Sequence, residues 1–239
     1  MRKNRAYLEQ EEGQWSYDFV YNSIEPLKML DFEIIPFDCN DMEETLTCYP
    51  LNIEKDVIIG SVQSISEFFK GCGIEVPEYL GYPEELKPYL GRKIIETTFE
   101  DAHRHQFPIF IKPSKGVKRF TGCLVETGRQ LGYLRDFDKV EDSDPVFLSD
   151  PIDFLSEFRC FVHEDKLKGI QFYLGDFTLF PDVSVIQKMI EDYTTANCAY
   201  TLDVGVTPSG ATFLVEINDM WAIGSYGFNA KDYVLMCVR

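Results

Sequence analysis

Residues 199–219 read AYTLDVGV (199–206), TPSG (207–210) and ATFLVEIND (211–219). Two runs of alternating apolar residues flank Pro208 and Gly210, which stand where a tight turn prefers them, so the stretch reads as a β-hairpin. With Pro208 and Ser209 at the centre of the turn, Thr207 pairs with Gly210, Gly205 with Thr212 and Asp203 with Leu214. Side chains alternate between faces. Leu202, Val204 and Val206 then join Phe213, Val215 and Ile217 in an apolar surface that demands burial, while Asp203, Leu214, Glu216 and Asn218 share the other face. Asp203 and Glu216 become diagonal neighbours, ~7–8 Å apart, so both carboxylates can converge on one ion. Two carboxylates and the Asn218 amide oxygen suit Mg²⁺, which keeps waters and takes further ligands from phosphates. Asn is disfavoured in strands, so Asn218 calls for a reason of this kind. A solvent-facing acidic strand is the alternative reading.

Upstream lies a complement to that acidic ribbon. The chain has 40 acidic residues, yet none occurs between Asp101 and Glu126. Inside the gap sits IKPSKGVKRF (111–120), with Lys112, Lys115, Lys118 and Arg119. At a Debye length of ~8 Å, a polyphosphate would feel these charges rather than the distant acidic surface. Lys112 ends the strand FPIFIKP (107–113), on the face opposite Phe107, Ile109 and Ile111. Gly116 lets backbone N–H groups approach a phosphate. A solvated loop balancing nearby acids is the alternative. Between loop and ribbon runs SEFRCFV (156–162), where Glu157, Arg159 and Phe161 share a face and Phe158, Cys160 and Val162 pack behind. An arginine among core residues needs an anion or a carboxylate, a Glu–Arg pair being the structural version. Together, cations for phosphates and carboxylates for Mg²⁺ are the two halves of a nucleoside-triphosphate site. The chain has no G-x4-G-K-[ST] loop, no H-R-D-x4-N and no D-F-G.

Across its 239 residues the chain carries a formal charge of −17, which argues against nucleic acid or an anionic membrane as partner. No apolar run approaches the ~20 residues of a membrane span, and MRKNRAYLEQEEGQW (1–15) lacks the apolar stretch of a secretory signal. A soluble, cytoplasmic protein is expected. The seven cysteines are odd in number with no C-x2-C pair, so most are expected as small core hydrophobes. YDFVYNSIEPLKML (17–30) reads as a helix broken near Pro26. FEIIPF (32–37) and DVIIGS (56–61) read as strands and SVQSISEFFKGCG (61–73) as a helix, giving a small α/β unit with a parallel sheet over residues 1–90. PEYLGYPEELKPYLG (77–91) forms its boundary. Beyond it, strands at 107–113, 122–127, 145–152, 156–165 and 166–175, helices at 127–137, 184–197 and 231–239, and the hairpin make an α+β region.

The ordered motifs FIKP (110–113), KRFTG (118–122), EFRCFV (157–162), LDVGV (202–206) and LVEIN (214–218) resemble the ATP-grasp superfamily. The likeness is to a divergent clade that includes the eukaryotic cell-division-cycle protein assisting assembly of translation initiation factor 2, and small bacterial and phage proteins. It covers 107–219 well and 56–100 loosely. It implies an α+β ATP-grasp fold, with ATP between subdomains 91–145 and 146–239 and a small α/β domain, 1–90, before them. Lys112 is similar to the lysine on the α-phosphate and adenine side, and Lys118 falls in the loop that covers the phosphates. Leu148, Ser149 and Asp150 match the hinge that reads adenine, with Asp150 or a neighbour near the ribose. Arg159 matches the arginine facing the triphosphate, which with Lys112 makes the catalytic pair; Asp203, Glu216 and Asn218 match the Mg²⁺ ligands. Where the eukaryotic relatives carry an arginine on the next strand, this chain has GIQFYLG (169–175), with Gln171 and Tyr173, so that phosphate contact is either missing or supplied by Lys168 or Lys188. The implied activity is an ATP- and Mg²⁺-dependent carboxylate–amine ligase acting through an acyl phosphate on a peptide, protein or amino acid. The alternative is an assembly chaperone that binds ATP without turnover. Both require the lysine loop and the acidic ribbon to face each other across one cleft.

Overall fold

The computed structural model describes residues 3–77, 80–115 and 120–238. Its first unit is built around β1 (Arg5–Glu11), in which Ala6, Tyr7 and Leu8 are all fully buried. A strand covered on both faces shows a continuous apolar run rather than alternation. Here that run is only three residues long between Arg5 and Glu9, too short a signal to appear in the reading above. β1 pairs antiparallel with β2 (Gln14–Trp15). It pairs parallel with β3 (Glu33–Phe37) and with β4 (Val57–Ile59), so the parallel α/β unit is present with an unread strand at its centre. Its helices are α1 (Asp18–Met29), α2 (Met42–Cys48) and α3 (Val62–Gly71). Helix α1 continues through Pro26 instead of breaking there, because the Pro26 carbonyl still accepts from Leu30 N–H at 3.1 Å. Ser61 caps α3, its hydroxyl accepting from Ser64 N–H at 3.1 Å.

The second unit contains β5 (Ile94–Thr98), α4 (Phe99–Ala102), β6 (Ile109–Pro113), β7 (Cys123–Val125), α5 (Gly128–Phe137) and β8 (Pro145–Ser149). The antiparallel sheet has the order β5-β8-β6-β7. Ile109, Ile111, Val146 and Leu148 point to one face and pack with Phe99 and Leu131 of α4 and α5. Since β8 pairs with both β5 and β6, the break between sheets falls after Ser149 and not before Val146.

The third unit holds β9 (Ser156–His163), β10 (Lys166–Gly175), α6 (Val183–Asp192), β11 (Ala199–Val206), β12 (Thr212–Asp219) and α7 (Ala230–Cys237). Its antiparallel sheet runs β10-β9-β11-β12. One face packs Phe158, Cys160, Val162, Leu202, Val204, Leu214 and Ile217 under Ile186, Met189 and Ile190 of α6. The helix read over 184–197 stops at Asp192. Helix α7 packs on α1, and Phe228, Tyr233 and Val234 join Ala6, Leu8 and Val20 in one cluster, which docks the first unit onto the third. The cysteines depart from expectation. Cys160 is fully buried, but Cys39, Cys48 and Cys198 are exposed. Among the described residues no helix is long and apolar enough to cross a membrane.

Gly175 closes β10 at φ +91°, and a Cβ there would stand 2.1 Å from the Leu155 carbonyl oxygen. Gly175→Ala therefore combines left-handed strain with a backbone clash and should cost about 2 kcal/mol or more in urea unfolding. An unchanged midpoint would show that the 155–156 backbone yields.

Candidate active site

The hairpin turn contains three residues, not two. Thr207 N–H donates to Ala211 O and Gly210 N–H to Thr207 O, both at 2.9 Å, with Gly210 at φ +81°. Val206 then faces Thr212 and Val204 faces Leu214, one step from the register read from sequence. Continued unbroken, that ladder would pair Leu202 with Glu216 and drive the carboxylate into the core. A β-bulge between Asp203 and Val204 intervenes: the register skips Val215, and Asp203 lies directly opposite Glu216 and Thr201 opposite Asn218. Asp203, Glu216 and Asn218 thus share a face as expected, though Asp203 and Glu216 as a direct pair rather than a diagonal one. Leu214 belongs to the core with Val204, whereas Val215 faces the cavity; both assignments reverse the sequence reading.

Asp203 is almost wholly buried and takes both arms of Arg159: Nε donates to Oδ1 at 2.8 Å and Nη2 to Oδ2 at 2.7 Å. Asp203, not Glu157, is the partner that the buried arginine required. Burial pushes the Asp203 carboxyl up to about 6 even as Arg159 pulls it down. Burial, the largest single influence, opposes the Arg159 charge too, but the Asp203 hydrogen bonds and charge together with Tyr226 and Glu216 outweigh it and hold the guanidinium above its ordinary range. Arg159 Nη1 also donates to Gly224 O at 3.2 Å, and the Tyr226 ring lies 4.8 Å from the guanidinium carbon. Tyr226 stacks on Tyr173, whose hydroxyl donates to Glu157 at 2.6 Å. Burial, reinforced by Asp203 and Glu157, raises the Tyr173 phenol far above its usual range and keeps it a neutral donor.

From the other sheet, Lys112 of β6 reaches across. Its Nζ donates to Glu216 Oε2 at 3.2 Å and lies 4.7 Å from the Tyr82 ring centroid. The lysine strand and the acidic ribbon therefore meet across one cleft of about 850 Å³. Its walls are Phe110, Lys112, Phe120 and Leu124 from the second unit and Glu157, Tyr173, Val215 and Glu216 from the third, with Ser149 and residues 151–154 joining them.

Several site assignments shift. Of the three hinge residues Ser149 lines the cavity. Leu148 lies in the core behind β8, and Asp150 is exposed, its N–H bonded to Lys93 O at 3.3 Å. Pro151, Ile152, Asp153 and Phe154 line the cavity beside Ser149. Lys168 and Lys188 are exposed and absent from the lining; among the described residues Arg92 adds a cation to it. Lys115 lines the mouth. Lys118, with Gly116 and Arg119, lies outside the described residues. Arg92 and Tyr82 were invisible to motif reading because their partners lie more than a hundred positions away: Arg92 donates to Leu214 O and Val215 O, and Tyr82 to Val215 O.

No group of three or more His, Cys, Asp or Glu side chains able to hold a metal occurs among the described residues. The donor set is instead two carboxylates and an amide. Asn218 Nδ2 donates to Glu216 Oε1 at 3.3 Å and to Asp203 Oδ2 at 3.5 Å, so the three groups converge, and turning the amide over would present its Oδ1 to a cation held between the carboxylates. An ionised carboxylate has about four acceptor positions and the Arg159 fork uses two, leaving Asp203 able to accept a cation as well. Such a set fits Mg²⁺.

Removing one partner of the buried Arg159–Asp203 pair leaves the other uncompensated. Arg159→Met should destabilise the fold by about 3–5 kcal/mol, and the double variant Arg159→Met/Asp203→Leu by clearly less. The loss should shrink on acidification. An Asp203 carboxyl raised in the folded state takes up a proton there first, so its penalty is present at neutral pH and fades as pH falls through the folded-state value. Equal losses in the single and double variants would disprove the pairing energetics.

The whole architecture is similar to solved ATP-grasp structures. D-cycloserine synthetase DcsG superposes with a TM-score of 0.62 at 10% identity, over 98% of this chain and 98% of that one. D-alanine–D-alanine ligase from Bacillus anthracis gives 0.59 at 14% identity, over 100% and 96%. The same Bacillus anthracis ligase complexed with ATP gives 0.55 at 14%, over 99% and 95%. At these identities the likeness is one of fold. No curated protein matches the sequence. Residues 89–236, spanning both sheets of the cleft, match the family "ATP-grasp domain, R2K clade family 2", and the chain belongs to that ATP-grasp family.

Proposed function

We propose that this protein is an ATP- and Mg²⁺-dependent ligase that joins a carboxylate to an amine, with a peptide, a protein terminus or an amino acid as acceptor. The observation that carries the reading is the contact between Lys112 and Glu216. It closes a cleft in which cations from one sheet oppose the Asp203–Glu216–Asn218 ribbon of the other. Membership of the ATP-grasp family supports the nucleotide, and structural neighbours named as ligases support the reaction class.

In this reading the apolar walls Phe110, Leu124, Ile152 and Phe154 sandwich the adenine, and the backbone of 149–154 offers its polar edge a partner. Asp153 and Glu157 stand near that wall as acceptors for ribose hydroxyls. Lys112 draws the phosphates inward, and Asp203, Glu216 and Asn218 would hold Mg²⁺, which when bound neutralises phosphate charge. Arg159 is oriented by Asp203, Gly224 O and Tyr226, so it is fixed before charge develops on the transferring phosphoryl group. Phosphorylation of a carboxylate by ATP, then attack by an amine, requires no protein nucleophile.

ATP with Mg²⁺ should raise the melting temperature well beyond ATP with EDTA. Glu216→Ala should remove the Mg²⁺-dependent part, and Lys112→Ala should weaken nucleotide binding with or without metal. With the right acceptor, ADP and phosphate should appear together. Full metal-dependent stabilisation in Glu216→Ala would refute the ligand assignment, and acceptor-independent silence across broad amine and carboxylate panels would refute the ligase.

A further inference from the structure

A bulge interrupts the regular ladder, so its backbone groups need partners from elsewhere. In β12 the carbonyls at the bulge are those of Leu214 and Val215. Their donors come from the segment that joins the first unit to β5. Arg92 Nη1 donates to Leu214 O at 2.9 Å and Nη2 to Val215 O at 3.3 Å, while Tyr82 Oη donates to Val215 O at 3.2 Å. The guanidinium is itself braced, because Nη1 also reaches Leu90 O at 2.8 Å and its carbon lies 5.6 Å from the Phe154 ring centroid. The Tyr82 ring meets Lys112 Nζ and packs edge-on against Phe147 at 5.0 Å, so one residue touches both sides of the cleft.

The three-residue turn sets a register that would bury Glu216 beside Leu202, and only the skipped Val215 returns Glu216 and Asn218 to the side of Asp203. We propose that Arg92, assisted by Tyr82, is a positioning residue: its planar fork pins the two bulge carbonyls and thereby aims Glu216 and Asn218 at the metal. A lysine could reach one carbonyl at a time but could not span both. This inference rests on the metal reading of Asp203, Glu216 and Asn218. It assigns Arg92 a role transmitted through β12, distinct from any contact with the nucleotide whose cavity it also lines.

The test uses the full chain and two probes, ATP in EDTA and ATP with titrated Mg²⁺, with binding followed by thermal shift and calorimetry. Arg92→Met should raise the Mg²⁺ concentration for half-maximal stabilisation by about tenfold or more, the effect expected for an outer-shell partner of a metal ligand. Its affinity for ATP in EDTA should stay at the wild-type level. Arg92→Lys should recover part of the metal response, and Tyr82→Phe, which keeps the ring beside Lys112, should shift the half-point in the same direction by less. Equal weakening of ATP in EDTA and in Mg²⁺ would show a direct nucleotide contact and overturn the proposal, as would an unchanged Mg²⁺ half-point. If Arg92→Met does not fold, Tyr82→Phe decides: a raised half-point supports the bracket and an unmoved one refutes it. A wild-type chain without any ATP–Mg²⁺ stabilisation would remove the proposed function and this inference together. A responsive wild type with an unaffected Arg92→Met would remove this inference alone.

Discussion

A hairpin closed by a short turn has its register set by the turn, before any side chain along it finds a partner. Here the Thr207–Ala211 closure sets a register in which Glu216 belongs to the apolar face. The single skipped residue, Val215, reverses that assignment for everything beyond it. Asp203, Glu216 and Asn218 come together because the strand is irregular at one point, and Ile217 still reaches the core because alternation resumes at once. An acidic ribbon backed by a continuous apolar face depends on both halves of that arrangement.

Charge in the cleft is balanced internally. Arg159 holds Asp203, and Lys112 meets Glu216. In a chain with a formal charge of −17 this pairing keeps two carboxylates and two cations at tolerable cost, Lys112 and Glu216 on the cavity wall and Arg159 and Asp203 buried outside its lining. It also shapes what a ligand must do. A phosphate with its cation can exchange one set of opposite charges for another, lysine to phosphate and glutamate to metal, without leaving a buried charge alone. The aromatic pair Tyr173–Tyr226 restricts Arg159 further, so a guanidinium with many rotamers is held in one.

Much of the site was legible in local pattern. Lys112 opposite Ile109 and Ile111, and Arg159 opposite Phe158 and Cys160, follow from two-residue alternation in strands whose other face is plainly apolar. The identities of Asp203, Glu216 and Asn218 followed too, although from a register one step out: a two-residue turn without a bulge and a three-residue turn with one deliver the same three polar side chains to one face. They differ at Leu214 and Val215, and there the local reading was wrong. Strand β1 escaped notice because three apolar residues between charges carry too little periodicity. The hinge residues came from the family likeness rather than from alternation, and of the three Ser149 lines the cavity.

What the sequence determined by itself, then, is most of the strands (β1, β2 and β5 excepted), the faces of those with long alternating patterns, and the chemistry each face presents, since alternation is a property of the chain taken a few residues at a time. Tertiary structure decided the rest. Asp203 rather than Glu157 receives Arg159 because antiparallel pairing sets β11 beside β9. Arg92 and Tyr82 meet the bulge in β12 because the linker before β5 packs along that strand's edge. Those contacts join residues 44 to 133 positions apart. Partners at such separations are chosen by how the sheets dock, and no local pattern encodes that choice.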